Sequence, residues 1–271
     1  MSKRVLLTGS TGLIGRHVAR ALHGKHQLIL ASHAGHPIPE GRTLPFDLRE
    51  AGKITTWLDS LTPDVVVHTA AVTSADAAVQ SPEEAELLNV TATRTIAEWC
   101  AMRGARMIHF STDFVFDGTK SGWTEFEKPV PLSWYGETKL KSEVMVREAL
   151  ENHVILRPIL VYGRADALSR LNFPLLVLDK LRAGETMRIT ADQFRMPTYA
   201  GDVAVAVDQL LEHSFSGVMH LAGPDYVSVY SFAERVAASF GLNRELLHPV
   251  STHEMQFLAE RPLISGFDTS L

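Results

Sequence analysis

The segment Thr8-Gly9-Ser10-Thr11-Gly12-Leu13-Ile14-Gly15 constrains this chain more than any other. It directly follows a short apolar run, Arg4 to Thr8, and opens a helical pattern, Leu13 to His23. Glycine permits the tight strand-to-helix turn and a close backbone approach to a ligand, and the free N–H groups at the helix start attract negative charge. A strand, a glycine turn and a helix in that order predict a dinucleotide pyrophosphate held by Gly9, Ser10, Thr11, Gly12, Leu13, Ile14 and Gly15. The glycines are spaced G-x-x-G-x-x-G rather than G-x-G-x-x-G, and an ordinary glycine-rich turn is the alternative.

The alternation begun there continues through Gln27 to Ala31, Asp64 to His68, Pro82 to Arg103 and Arg106 to Ser111, which predicts crossover units and a parallel sheet. Val65-Val66-Val67 and Met107-Ile108-His109-Phe110 are continuous apolar runs of the kind that helices cover on both faces, so they are read as central strands. Ser81-Pro82-Glu83-Glu84 and Ser231-Phe232-Ala233-Glu234 carry helix-start spacings. After Pro158 the pattern loosens into helices near Pro174 to Ala183 and Gly201 to Glu212, a strand at Gly217 to Leu221, and a helix from Ser231. The expectation is an α/β protein: a doubly wound, Rossmann-type parallel sheet over 1–157, and a smaller mixed substrate-binding region over 158–271. Residues 197–221 are expected to return to the main domain. A chain of 271 residues, 45% of them hydrophobic, can bury such a core.

The same numbers narrow the partners. A formal charge of −5 offers no basic surplus for a phosphate backbone, so nucleic acid is not an expected partner. The lone Cys100 can form no intrachain disulfide and reads as a small buried apolar residue. Twelve histidines show no H-x-x-x-H pair with a nearby third ligand, so no metal is expected. Met1 to Arg4 is followed by only Val5-Leu6-Leu7, too short for an export signal, and no apolar stretch reaches the roughly 18 residues of a membrane span, so a cytoplasmic location is expected.

The second strand ends Leu30-Ala31-Ser32-His33, without the carboxylate that binds ribose hydroxyls in NAD-preferring folds. Ser32 and His33, or Arg16 and Lys25, can then face a 2′-phosphate; NADP(H) is favoured and NAD(H) stays open. Downstream, Tyr135-Gly136-Glu137-Thr138-Lys139 places a tyrosine and a lysine on one helix face, where an ammonium stabilises a phenolate and lowers its pKa. Ser111-Thr112-Asp113-Phe114-Val115-Phe116-Asp117-Gly118 begins at the carboxyl end of a central strand, where open α/β sheets bind ligands. Arg195 either pairs with a substrate phosphate or is a solvated loop arginine.

These stretches, together with Phe46-Asp47-Leu48, Ala70-Ala71-Val72-Thr73, Asn89-Val90, Pro197 to Ala204, Arg261-Pro262 and Asp268-Thr269-Ser270, resemble the extended short-chain dehydrogenase/reductases. More narrowly they resemble the dTDP-4-dehydrorhamnose reductase group, in which Leu160 stands where tryptophan is common. The resemblance implies a catalytic set of Thr112, Tyr135 and Lys139, with Ser111, Asp113 and Phe114 beside the substrate. It implies that Asp47 and Leu48 meet the adenine side, that Ala70, Ala71 and Val72 line the cofactor, and that Asn89 and Arg157 belong to the same set. The activity implied is NADPH-dependent reduction of a 4-keto nucleotide-activated deoxysugar. An epimerase or dehydratase of the same superfamily and a non-catalytic cofactor-binding subunit are the alternatives. A homodimer is expected through the helices starting at Pro82 and Ser133.

Overall fold

The computed structural model describes residues 2–164 and 171–270. The first half runs β1 (Arg4–Thr8), α1 (Leu13–Leu22), β2 (Gln27–Ser32), β3 (Thr43–Pro45), α2 (Ala51–Leu61), β4 (Val65–His68), α3 (Ala75–Gln80), α4 (Pro82–Ala85), α5 (Ala92–Arg103) and β5 (Arg106–Phe110). It continues through α6 (Trp134–Ala149) and β6 (His153–Pro158). The second half comprises β7 (Val161–Tyr162), α7 (Phe173–Arg182), β8 (Met187–Thr190), β9 (Phe194–Arg195), β10 (Thr198–Tyr199), α8 (Ala200–Glu212), β11 (Gly217–Leu221), β12 (Val227–Ser228), α9 (Val229–Ser239) and β13 (Leu247–Val250).

Seven strands form one parallel sheet in the order β11-β6-β5-β4-β1-β2-β3. Alternation across the pleat explains its continuous apolar runs. Val5, Leu7, Val65 and Val67 face Val18 and Leu22 of α1 and Val203 and Val207 of α8. Leu6 and Val66 point the other way, against Ile54 and Leu58 of α2, Ile96 and Trp99 of α5 and Val146 of α6. Each fully buried Leu or Ile contributes about 1.5–3 kcal/mol, so both faces have to be covered. Residues 197–221 supply a helix packed on α1 and the edge strand β11. A separate apolar cluster joins α7 and α9 to β8 and β13 through Val177, Leu181, Ile189, Val236 and Leu247.

Two helix starts differ from expectation. The stretch from Pro82 to Arg103 is not one α-helix, since a π-helical turn, Glu86–Thr91, lies between α4 and α5; the Ser81 side chain makes no cap hydrogen bond. Ser231 lies inside α9, whose true cap is Ser228, its hydroxyl accepting from the Ser231 amide at 3.0 Å. The capping-box spacing around Ser231 pointed one turn too far along the chain.

Candidate active site

A cavity of about 820 Å³ opens along the carboxyl ends of β1, β2, β4 and β5, where a doubly wound sheet binds its ligands. Gly9, Thr11, Gly12, Leu13, Ile14 and Gly15 form its floor. Gly9 has φ +68°, and a Cβ there would lie 2.7 Å from Thr69 Oγ1 and 2.8 Å from the Ala70 nitrogen. A Cβ on Gly15 would lie 2.2 Å from the Gly9 carbonyl oxygen. The turn closes through Gly12 N–H donating to Gly9 O at 2.9 Å, and no side chain caps α1. The helix start therefore faces the cavity as a backbone cradle for anionic oxygens, which fits a dinucleotide pyrophosphate. Ser10 does not reach it: the residue is buried, with both its amide and its hydroxyl donating to Ala31 O.

Ser32, His33, Asp47 and Leu48 line the next stretch of wall. Phe46 and Trp57 stack there with centroids 4.0 Å apart, a flat apolar face for a base. Of the other 2′-phosphate candidates, Arg16 is buried beside Glu40 and Lys25 pairs with Asp208 on the surface; neither lines the cavity. Arg49, which carried no sequence signal, does. It grips Asp47 at 2.8 Å and holds that carboxyl down at about 2.

Ala70 and Ala71 line the opposite wall, whereas Val72 and Asn89 stand behind it. The π-helical turn carries Asn89, whose amide accepts from Val72 N at 2.8 Å and donates to Val72 O at 3.1 Å and to Thr138 Oγ1 at 3.0 Å. Asn89 thus fastens the loop after β4 to α6 rather than meeting a ligand from the cavity wall.

At the other end Ser111, Thr112, Asp113 and Phe114 follow β5, facing Tyr135 and Lys139 on the first turns of α6. Ser133 caps α6 by accepting from the Gly136 amide at 3.3 Å. A Cβ on Gly136 would meet Phe114 O at 2.2 Å, so this glycine lets the helix start abut the loop. Burial pushes the Tyr135 hydroxyl up to about 12, opposed by its hydrogen bond with Thr112. The lowered tyrosine expected from the Tyr-Lys spacing does not appear: burial and the nearby Asp113 carboxylate raise the hydroxyl, and the Thr112 hydrogen bond opposes them. Burial also lowers Lys139 to about 8, opposed by Glu143 one turn along the helix. Beneath Lys139 the rings of His68 and His109 stack 5.6 Å apart, and burial holds both neutral, His68 at about 3.

Two arginines expected at the ligand lie inside the protein. Arg157 is 1% exposed and donates to Glu143 at 2.8 and 2.6 Å. Glu143 in turn accepts from the Ser111 hydroxyl, so Arg157 braces the wall instead of binding a cofactor. Arg195 is 4% exposed and donates to the carbonyls of Phe194, Leu263 and Pro262, with Asp113 at 3.7 Å. Its donors hold the C-terminal segment, which removes it as a substrate-phosphate ligand. Arg261 faces the cavity from that segment, donating to Asp76 at 2.7 Å and lying over the Phe257 ring at 3.8 Å. Arg261-Pro262 is one of the segments that carry the family resemblance, but no signal in it assigns the arginine a role. Leu160 also lines the cavity, with φ +37°, an uncommon conformation for a residue bearing a side chain. Among the described residues no helix is long and apolar enough to cross a membrane, and no three His, Cys, Asp or Glu converge as metal ligands.

Comparison with known proteins accords with this geometry. Probable low-salt glycan biosynthesis reductase Agl14 of Haloferax volcanii is 33% identical over 97% of this chain and 89% of its own length. Methionine adenosyltransferase 2 subunit beta of Xenopus laevis is 32% identical over 99% of this chain and 81% of its own. A crystal structure of dTDP-4-dehydrorhamnose reductase from Bacillus anthracis in complex with NADP superposes with a TM-score of 0.86 at 27% identity, covering 100% of this chain and 92% of that one. The family model described as RmlD substrate binding domain matches residues 3–271, and the chain belongs to that family of Rossmann-like α/β proteins.

Proposed function

We propose that this chain reduces the keto group of a 4-keto nucleotide-activated deoxysugar with NADPH, and that NADH can serve in its place. The observation that carries the proposal is one cavity with a backbone anion cradle at one end and Thr112, Tyr135 and Lys139 gathered at the other. The reductase names of the similar proteins support the same reading.

Gly9 and the run from Thr11 to Gly15 hold the pyrophosphate of the cofactor, with Ala70, Ala71 and Leu48 along the dinucleotide and Asp47 near the adenine. When bound, NADPH supplies a hydride for the keto carbon. Tyr135 gives its hydroxyl proton to the keto oxygen; held near 12 it stays loaded at neutral pH, and the transfer is downhill because an alkoxide is more basic still. Thr112 aligns that hydroxyl through their shared hydrogen bond. Lys139 holds the nicotinamide ribose and offsets charge developing on Tyr135. Arg261 meets the substrate diphosphate in place of Arg195, a charge-assisted contact that a partly exposed guanidinium can make without leaving Asp76. Residues 1–157 thus serve the cofactor and 158–271 mainly the sugar nucleotide, with 197–221 completing the sheet.

A cytoplasmic location and a homodimer belong to the same proposal. The lone thiol is buried and held in its protonated form, near 12, and exposed Leu87 stands beside the α6 face expected to pair. The subunit reading has less behind it, since a structural role requires none of Thr112, Tyr135 and Lys139 at a cavity wall, and the reductase names of the similar proteins favour a reductase over an epimerase or dehydratase. The test is decay of NADPH absorbance with a panel of 4-keto nucleotide sugars, run beside Tyr135→Phe. Turnover lost in the variant supports the reductase; equal rates in both would refute it.

A further inference from the structure

The ribose end of the cavity holds one cation under restraint. Arg49 donates through Nε and Nη2 to Asp47 at 2.9 and 2.8 Å, and through Nη1 to Glu84 at 2.8 Å. All three line the cavity with Ser32 and His33, whose Nδ1 lies 3.5 Å from Asp47. One guanidinium therefore faces two carboxylates, and the local balance is negative where a 2′-phosphate would add more negative charge. Asp47 and Arg49 stand two residues apart in one loop, so their contact is local. Glu84 comes from α4, across the cavity, and its pull on Nη1 is a tertiary contact.

From this arrangement we infer that Glu84 sets the cofactor preference: by occupying Arg49 it weakens recognition of the 2′-phosphate and so keeps NADH usable. The inference rests on the reading of the cavity as a dinucleotide site. The phosphate group competes with Glu84 for the same Nη1 donor, while a ribose hydroxyl does not need it. Arg49 is half-exposed, at 39% of its side chain, and Glu84 at 45%, so the pair is adjustable rather than locked and its energy is modest. Loss of the carboxylate charge leaves Asp47 as the one carboxylate on Arg49 and only a neutral acceptor on Nη1, so a phosphate competes for that donor more readily.

Calorimetric dissociation constants for NADPH and NADH decide the matter, measured on the wild type, Glu84→Gln, Arg49→Ala and the double variant. Expected is a rise of about three- to fivefold in preference for NADPH in Glu84→Gln, with NADH affinity little changed. The double variant should show no such rise over Arg49→Ala, because the effect runs through that side chain. A preference unaltered by Glu84→Gln, or raised equally when Arg49 is absent, would overturn the inference while leaving the dinucleotide site standing. Binding of neither cofactor by the wild type would overturn the site itself, and the inference with it. Glu84 is half-exposed and glutamine matches its shape, so the variant should fold.

Discussion

At its glycine end the cavity is walled by one short segment, Thr8, Gly9 and Thr11 to Gly15, whose anion cradle is the uncapped backbone at the start of α1. At its other end Thr112 after β5, Tyr135 and Lys139 on α6, and Arg261 near the C-terminus come together from three distant segments, and each contributes a side chain. At the glycine end a Cβ added to Gly9 or Gly15 meets backbone atoms within 3 Å. The other end depends on protonation and pairing. Local geometry governs the first and long-range electrostatics the second, so the two should fail differently under mutation.

The sharpest contrast is expected at Tyr135. Tyr135→Phe should lower kcat by about a thousandfold, the scale of a lost proton donor, with NADPH affinity held within about twofold. A comparable loss of cofactor affinity would show that the two ends are not separable. Next comes Gly15→Ala, whose Cβ would meet the Gly9 carbonyl at 2.2 Å and push the cradle open. Its NADPH dissociation constant should rise about a hundredfold, read by titration calorimetry, with the thermal transition still cooperative. If Gly15→Ala binds as the wild type does, the cradle is not where the pyrophosphate sits.

Arg261→Ala should raise the sugar-nucleotide KM by about tenfold and leave kcat nearly untouched, as for the loss of one charge-assisted contact made equally in ground and transition states. Steady-state kinetics separate that from a kcat effect, which would move Arg261 into the catalytic group. The smallest effect concerns pH. Lys139 is lowered from 10.5 to about 8, so above pH 8 the folded chain has released a proton that the unfolded chain still binds. Stability through this group therefore rises with pH between about 8 and 10.5. Lys139→Met lacks the burial cost, and its advantage over the wild type in urea midpoint should shrink across that window. A constant gap would mean that Lys139 is not desolvated.

Another lesson lies beneath the catalytic wall. Ser111, Glu143, Arg157 and His220 form a continuous buried chain from the cavity to the edge strand β11. A paired charge in such a place keeps its neighbours in register, since removal of either partner strands the other without water. The edge strand, formed late in the sequence, is thereby tied to the residue that follows β5.

By itself the sequence determined the parallel sheet, the glycine cradle and the Tyr135–Lys139 face, because each rests on signals a few residues long: pleat alternation, a strand-glycine-helix order, and i, i+4 spacing. The Ser231 cap was misplaced by one turn because Ser228 makes the same kind of bond three residues earlier. The helix from Pro82 hid a π-helical turn whose purpose, reaching Val72 and Thr138 with Asn89, lies outside its own segment. Only the tertiary structure decided which arginines face the cavity. Arg16, Arg157 and Arg195 are drawn inward, while Arg49 and Arg261 stand on the wall. An arginine's side chain is long and always charged, so its position follows from whichever carboxylates and carbonyls fold within its reach.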